Sequence, residues 1–82
     1  MEEKNKLYVG NLPYSMTTDT LKELFVPMGE VVEAIVISDN AGRSKGFGFV
    51  TMKDEASAQK AIGDLNGKEI EGRPLRVNVA RP

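Results

Sequence analysis

The chain has 82 residues, a net charge of −1, and neither cysteine nor histidine. That length suits one domain and not two. The two absences remove disulfides, thiol chemistry, the usual base at neutral pH and the commonest metal ligand.

Leu7 to Asn11 (LYVGN) is short, β-prone and closed by Pro13, which predicts a first strand. Thr17 is placed to cap a helix, with Asp19 favourable in its first turn. Leu21, Leu24, Phe25 and Met28 follow at helical spacing, and Pro27 and Gly29 end the segment. Val31 to Ile37 (VVEAIVI) predicts a second strand, and Asp39-Asn40-Ala41-Gly42 a turn. Lys45 to Met52 predicts a third strand. Asp54 then caps a second helix, where Ala58, Ala61, Ile62 and Leu65 repeat the i, i+3, i+4, i+7 spacing. Asn66-Gly67 is a left-handed stop for it. Glu69-Ile70 suits a short hairpin arm, and after Pro74 the stretch Leu75 to Ala80 predicts the last strand.

The order βαββαβ is two βαβ units in tandem. Right-handed crossovers place both helices on one face of a four-stranded antiparallel sheet. The expectation is an α+β, ferredoxin-like sandwich, a single domain over residues 1–82 with its core at about 6–81. No element remains to cover the other face of the sheet.

What lies on that open face depends on the third strand, where the sequence reads KGFGFV. Alternate residues of a strand face opposite sides. One parity holds Lys45, Phe47, Phe49 and Thr51; the other holds Gly46, Gly48, Val50 and Met52. Hydrophobicity within this strand alone would put the rings inside. Its neighbours argue the reverse. Lys45 and Thr51 share the parity of the rings and prefer water. In the first strand, Leu7 and Val9 form an aliphatic parity against Tyr8 and Gly10. In the last, Arg76 and Asn78 belong to the polar parity. The consistent assignment buries Leu7, Val9, Val50, Met52, Leu75, Val77 and Val79 under the helices, with Gly46 and Gly48 letting a helix approach closely. By the same logic Val32, Ala34 and Val36 turn inward, and Glu33, Ile35 and Ile37 outward. Tyr8, Phe47 and Phe49 then gather on the open face, with Lys45, Arg76 and Asn78 around them.

Charge is distributed unevenly. Residues 40–53 carry Arg43, Lys45 and Lys53, and residues 72–82 carry Arg73, Arg76 and Arg81. These windows hold six of the eleven basic residues and none of the twelve acidic ones. Taken alone, such clustering also fits an ordinary solvated surface. Beside three exposed rings it suits unstacked nucleic-acid bases, with rings stacking on bases and cations meeting phosphates.

At these residues the chain resembles a known family. Lys45-Gly46-Phe47-Gly48-Phe49-Val50-Thr51-Met52 is similar to the octamer signature of the RNA-recognition motif at seven of its eight positions. Met52 stands where Phe or Tyr is usual. Leu7-Tyr8-Val9-Gly10-Asn11-Leu12 looks like the family's hexamer signature. The spacing between the two, the element order and the closing LRVNVA also fit, so the resemblance covers essentially the whole chain. It implies that Tyr8 and Phe49 each stack on a base, that Phe47 packs against the sugars between them, and that Lys45 meets a phosphate. It further implies secondary contacts from Asn11, Arg76, Asn78, Ala80 and Arg81. Arg43 is expected beside Lys45 as a phosphate contact. The Met52 departure falls on the core parity and leaves the binding face intact.

The expected function is non-enzymatic: a monomer holding a short segment of single-stranded RNA, with single-stranded DNA left open and no cofactor or metal. No apolar run approaches the ~20 residues of a membrane helix, and the opening MEEKNK lacks a signal-peptide pattern. A cytoplasmic location is expected, with nuclear and organellar placement left open. Gly46-x-Gly48 fails as a dinucleotide loop, because Thr51 stands where the third glycine belongs. The acidic residues include no pair with a catalytic rationale. Two base stacks of ~1–3 kcal/mol each fall short of the roughly 8 kcal/mol of micromolar binding, so phosphate contacts and hydrogen bonds must add to them. Tyr14, in the loop after Pro13, is expected to pack rather than bind. The alternative function is a protein–protein module of the same fold.

Overall fold

A computed structural model describes residues 5–39, 41, 42 and 44–80. The expectations for Arg43 and Arg81 lie outside the described residues.

Strand β1 is Lys6–Gly10 and helix α1 is Thr18–Phe25. The Thr17 hydroxyl caps α1 by accepting the Thr20 N–H at 3.2 Å. A 3₁₀ turn at Val26–Met28, with Pro27 inside it, ends the helix. Strand β2 is Val31–Ser38 and β3 is Ser44–Met52. Helix α2 is Glu55–Leu65. The Asp54 carboxylate caps it, accepting the Ser57 N–H at 2.8 Å. That bond is the main reason the Asp54 carboxyl titrates below its ordinary value, with the Ser57 hydroxyl and the Lys53 charge acting in the same direction. Two short strands, β4 (Glu69–Ile70) and β5 (Arg73–Pro74), form a hairpin. Its two turn residues, Glu71 and Gly72, have φ of 49° and 81°, the left-handed pair of a tight primed turn. Strand β6 is Arg76–Val79.

The main sheet runs β2-β3-β1-β6, and every neighbouring pair is antiparallel. Helix α1 packs on β2, and α2 on β3 and β6. Between sheet and helices lie Leu7, Val9, Leu12, Met16, Leu21, Phe25, Val50, Met52, Ala58, Ala61, Leu65, Leu75 and Val77, all buried. Val79, expected under the helices, and Leu24, Met28 and Ile62 of the helical stripes line the core's edge half-buried. Leu12 and Met16 join the core from the β1–α1 loop, beyond the reach of a strand or helix periodicity. Met52 is fully buried, as its parity implied.

Two sequence expectations are corrected. Val32 is 62% exposed, because the β2–β3 register slips between Val31 and Glu33. A bulge there leaves Val32 outside the alternation, so Val31 packs against the core in its place, followed by Ala34 and Val36. The glycines of β3 do not serve a helix. A β-carbon on Gly48 would run into the Ile35 carbonyl oxygen and come within 3.1 Å of the Val36 α-carbon, so this glycine lets β2 come close. Gly46 has φ of 87°, a conformation that other residues adopt at a cost of ~1–2 kcal/mol. Its carbonyl accepts the Leu12 N–H at 2.8 Å, which ties the β1–α1 loop to the start of β3.

Candidate nucleic-acid interface

Register across the sheet brings the open-face residues into rows. One row crosses all four strands: Ile35 is opposite Phe49, Phe49 opposite Tyr8, and Tyr8 opposite Asn78. The row on one side of it holds Phe47, Gly10 and Arg76. The row on the other side holds Glu33, Thr51 and Lys6. The helices claim the opposite parity, where Leu7, Val9, Val50 and Val77 are fully buried.

The three rings form one cluster. Centroids are 5.9 Å apart for Tyr8 and Phe47, 6.0 Å for Tyr8 and Phe49, and 6.2 Å for Phe47 and Phe49. Phe47 and Phe49 meet edge to face at 89°. These separations fall in the favourable range for aromatic pairs, so each ring braces the next. Tyr8 is 37% exposed, and both phenylalanines are half-buried. Ile35, 46% exposed, extends the apolar surface toward β2. Such a patch presents flat π-faces to solvent at fixed angles, a surface suited to stacking planar groups.

Cations frame it. Arg76, in the Phe47 row, and Asn78, in the Tyr8 row, are exposed, and Lys45 is exposed at the start of β3, two residues before Phe47. Lys6, which the sequence reading passed over, places its Nζ 5.3 Å from the Phe49 centroid, within cation–π range. Its signal was available: Lys6 shares the parity of Tyr8. Glu33 is the acid of that row, so the face is basic toward β6 and mixed toward β2.

Asn11 follows β1 with φ of 58°, a left-handed conformation that asparagine tolerates better than most residues. Its side-chain amide donates to the Pro74 carbonyl at 2.8 Å, tying the end of β1 to the hairpin. Tyr14 is 67% exposed, contrary to the expectation that it packs. Its loop turns Leu12, Pro13 and Met16 inward and leaves Tyr14 and Ser15 outside, and the one described ring partner of Tyr14 is the Arg73 guanidinium, 5.1 Å from its centroid. Among the described residues no group of three or more His, Cys, Asp or Glu is placed to hold a metal ion, and no helix is long and apolar enough to cross a membrane.

Comparison with known proteins agrees with this architecture. The model of the RNA recognition motif family matches residues 7–76. A 28 kDa chloroplastic ribonucleoprotein of Spinacia oleracea is 50% identical over 80 residues, which is 96% of this chain and 34% of that protein. The mitochondrial glycine-rich RNA-binding protein 4 of Arabidopsis thaliana is 49% identical over 77 residues, 93% of this chain and 57% of that one. The chain thus spans between about a third and just over half of these relatives. A solved Sxl-lethal protein/RNA complex superposes with a TM-score of 0.89 at 37% identity, covering 95% of this chain and 48% of that one. The two curated relatives are organellar by name, which lends no support to a cytoplasmic location and leaves an organellar one open.

Proposed function

The chain belongs to the RNA recognition motif family, and from that membership we propose that its open sheet face holds a short segment of single-stranded RNA. The observation that carries this reading is the cluster of Tyr8, Phe47 and Phe49, three rings within 6.2 Å of one another on the sheet face opposite α1 and α2. Its relatives support it: they are named ribonucleoprotein and RNA-binding protein, and a close structural neighbour is an RNA complex.

Each ring has a role that its position suits. Tyr8 and Phe49 face each other across β1 and β3 and take successive bases. Phe47, opposite Gly10 in the adjoining row, packs against the sugars between them. Lys45, Lys6 and Arg76 meet phosphates, while Asn78, beside Tyr8, offers an amide to a base edge. Arg43 and Arg81 are proposed as further backbone contacts. Asn11 acts first as a brace, since its amide is engaged by Pro74. Stacking contributes on the order of 1–3 kcal/mol per base, so a footprint of a few nucleotides gives modest affinity. The domain binds without chemistry of its own and acts as a monomer. The same contacts serve in the cytoplasm or in an organelle. A protein–protein role on this face would leave three rings angled for stacking without a use.

The test is fluorescence anisotropy with a random-sequence octamer RNA pool and a matching DNA pool. Phe49→Ala and Phe47→Ala, each checked for an intact fold by circular dichroism, are expected to weaken RNA binding by about 5-fold or more. Unchanged affinity in both variants would sink the proposal. Equal affinity for the DNA pool would widen it to single strands of either kind.

A further inference from the structure

The exposed ring of Tyr14 lies outside the Tyr8–Phe47–Phe49 cluster, and the proposed function does not use it. Its setting is built from two segments far apart in sequence. Tyr14 sits on the β1–α1 loop, and Arg73 stands just after the two-residue turn of the β4–β5 hairpin. Their side chains face each other, guanidinium over ring, at 5.1 Å.

Three hydrogen bonds hold these segments in place. The Asn11 amide donates to the Pro74 carbonyl at 2.8 Å, beside Arg73. The Ser15 hydroxyl donates to the Glu71 carboxylate at 3.1 Å, beside Tyr14 and two residues from Arg73. The Leu12 N–H donates to the Gly46 carbonyl at 2.8 Å, tying the loop to β3. The last of these sets the loop that carries Tyr14 against the start of β3. The Tyr14 Cε1 lies 3.6 Å from where a β-carbon of Gly46 would stand, and Gly46 adjoins Phe47 in the chain. The Tyr14 ring therefore lies beside the residue that precedes Phe47.

We propose that Tyr14 and Arg73 form a separate base slot, in which an unpaired nucleobase stacks on the Tyr14 ring with the Arg73 guanidinium over its other face. The inference rests on the RNA-binding reading above and extends the path of the same strand past Phe47. A base between ring and guanidinium needs two stacking gaps of ~3.5 Å each, about 7 Å in all. The present 5.1 Å thus requires Arg73 to swing out by about 2 Å, a small motion for a long side chain on a hairpin tip. Both partners suit the task. Tyrosine offers a π-face to any base, and a guanidinium stacks on aromatic planes while remaining fully charged. When the slot is empty, the cation–π contact keeps the ring oriented. The slot selects for an unpaired base, since a base within a duplex presents no free faces.

The experiment compares a random-sequence tetramer RNA pool with a random-sequence octamer pool by fluorescence anisotropy. It also includes an octamer pool carrying 5-iodouridine for photocrosslinking. Tyr14→Ala is expected to weaken octamer binding by about 5- to 100-fold, one base stack, while tetramer binding stays within about twofold. Arg73→Ala should weaken the octamer by about 2- to 5-fold, Tyr14→Phe should bind like the wild type, and the crosslink should map to Tyr14. Because Tyr14 is exposed, its replacement leaves the core untouched. If Tyr14→Ala and Arg73→Ala bind the octamer like the wild type and no crosslink reaches Tyr14, the slot is overturned and the main reading stands. If the wild type binds neither pool, both readings fall.

Discussion

The phenol ring of Tyr8 lies across Gly10, two positions along the same face of β1. A β-carbon at Gly10 would stand 2.7 Å from the Tyr8 hydroxyl oxygen and 2.8 Å from Cε1. Gly10 is also the residue opposite Phe47. The glycine therefore makes a shallow seat in which the Tyr8 ring reclines toward Phe47, and the three-ring cluster depends on that missing side chain.

A methyl group at this seat separates site from fold. Gly10→Ala meets only the far end of a side chain that can rotate away, so thermal unfolding should shift by no more than a few degrees, in keeping with a change under ~1 kcal/mol. Tyr8 would be pushed off Phe47, and affinity for a random octamer RNA pool should fall by about 3- to 10-fold, part of one stack. Unfolding scans and anisotropy on the same preparation check both halves. A variant that binds like the wild type would show that the reclined ring is not the binding form.

Gly48→Ala should behave in the opposite way. The obstacle there is backbone, the Ile35 carbonyl and the Val36 α-carbon at 3.1 Å, and backbone in a paired strand cannot rotate aside. The β2–β3 pairing must open, at a cost on the order of 1–3 kcal/mol or more. Urea titration should show a lower midpoint. An unchanged midpoint would mean that β2 is not held against Gly48 as described.

Lys6 offers a way to tell ionic from stacking contributions. Its ammonium lies 5.3 Å from the Phe49 centroid, and under the proposed function a base arriving on that ring would displace it toward the strand's phosphates. Each neutralised phosphate of a single strand adds about 0.7 to the slope of log affinity against log salt. Lys6→Ala should therefore flatten that slope by about 0.7, whereas Phe49→Ala should lower affinity at every salt concentration with the slope retained. Anisotropy across a salt series reads both. Equal slopes in Lys6→Ala and wild type would place this ammonium away from phosphate.

Asp54 gives the acid response of the fold a specific contributor. Its carboxyl titrates below its ordinary value of 3.8, chiefly because the ionised form accepts the Ser57 N–H. A group with a depressed folded pKa stabilises the native state above its unfolded value, and that stability is lost as pH falls through the folded value. Its contribution is thus complete above about pH 5 and declines in the range below 3.8. Asp54→Asn preserves a capping oxygen but cannot titrate. Its melting temperature should stay near wild type at neutral pH and fall less on acidification, a difference that melting curves over a pH series would reveal.

Much of the fold was legible because its signals are local. Thr17 and Asp54 announce helix starts through side chains that reach three residues ahead, and Leu21 and Phe25 share a helix face by spacing alone. The site was legible for a related reason: strand alternation ties Phe47 to Phe49 and sets Tyr8 apart from Leu7 and Val9. The readings that failed concern strands meeting strands. Val32 obeys alternation within its own segment, yet the slip against β3 carries it to the surface. Gly48 reads as a gap under a helix, yet its neighbour is the Ile35 carbonyl. Tyr14 reads as a packing ring, yet its partner lies across the fold on a hairpin.

The chain's own pattern of alternating rings, aliphatics and cations determined that one sheet face would carry the rings together with most of its strand cations. That follows from a strand period of two and from two α-helices that, among the described residues, pack on the opposite face. Tertiary structure decided which ring leans on which residue, where β2 bulges, and which cations cover Phe49 and Tyr14. Those outcomes depend on cross-strand register and on loop tethers such as Asn11 to Pro74, contacts between residues distant in sequence that no local periodicity encodes.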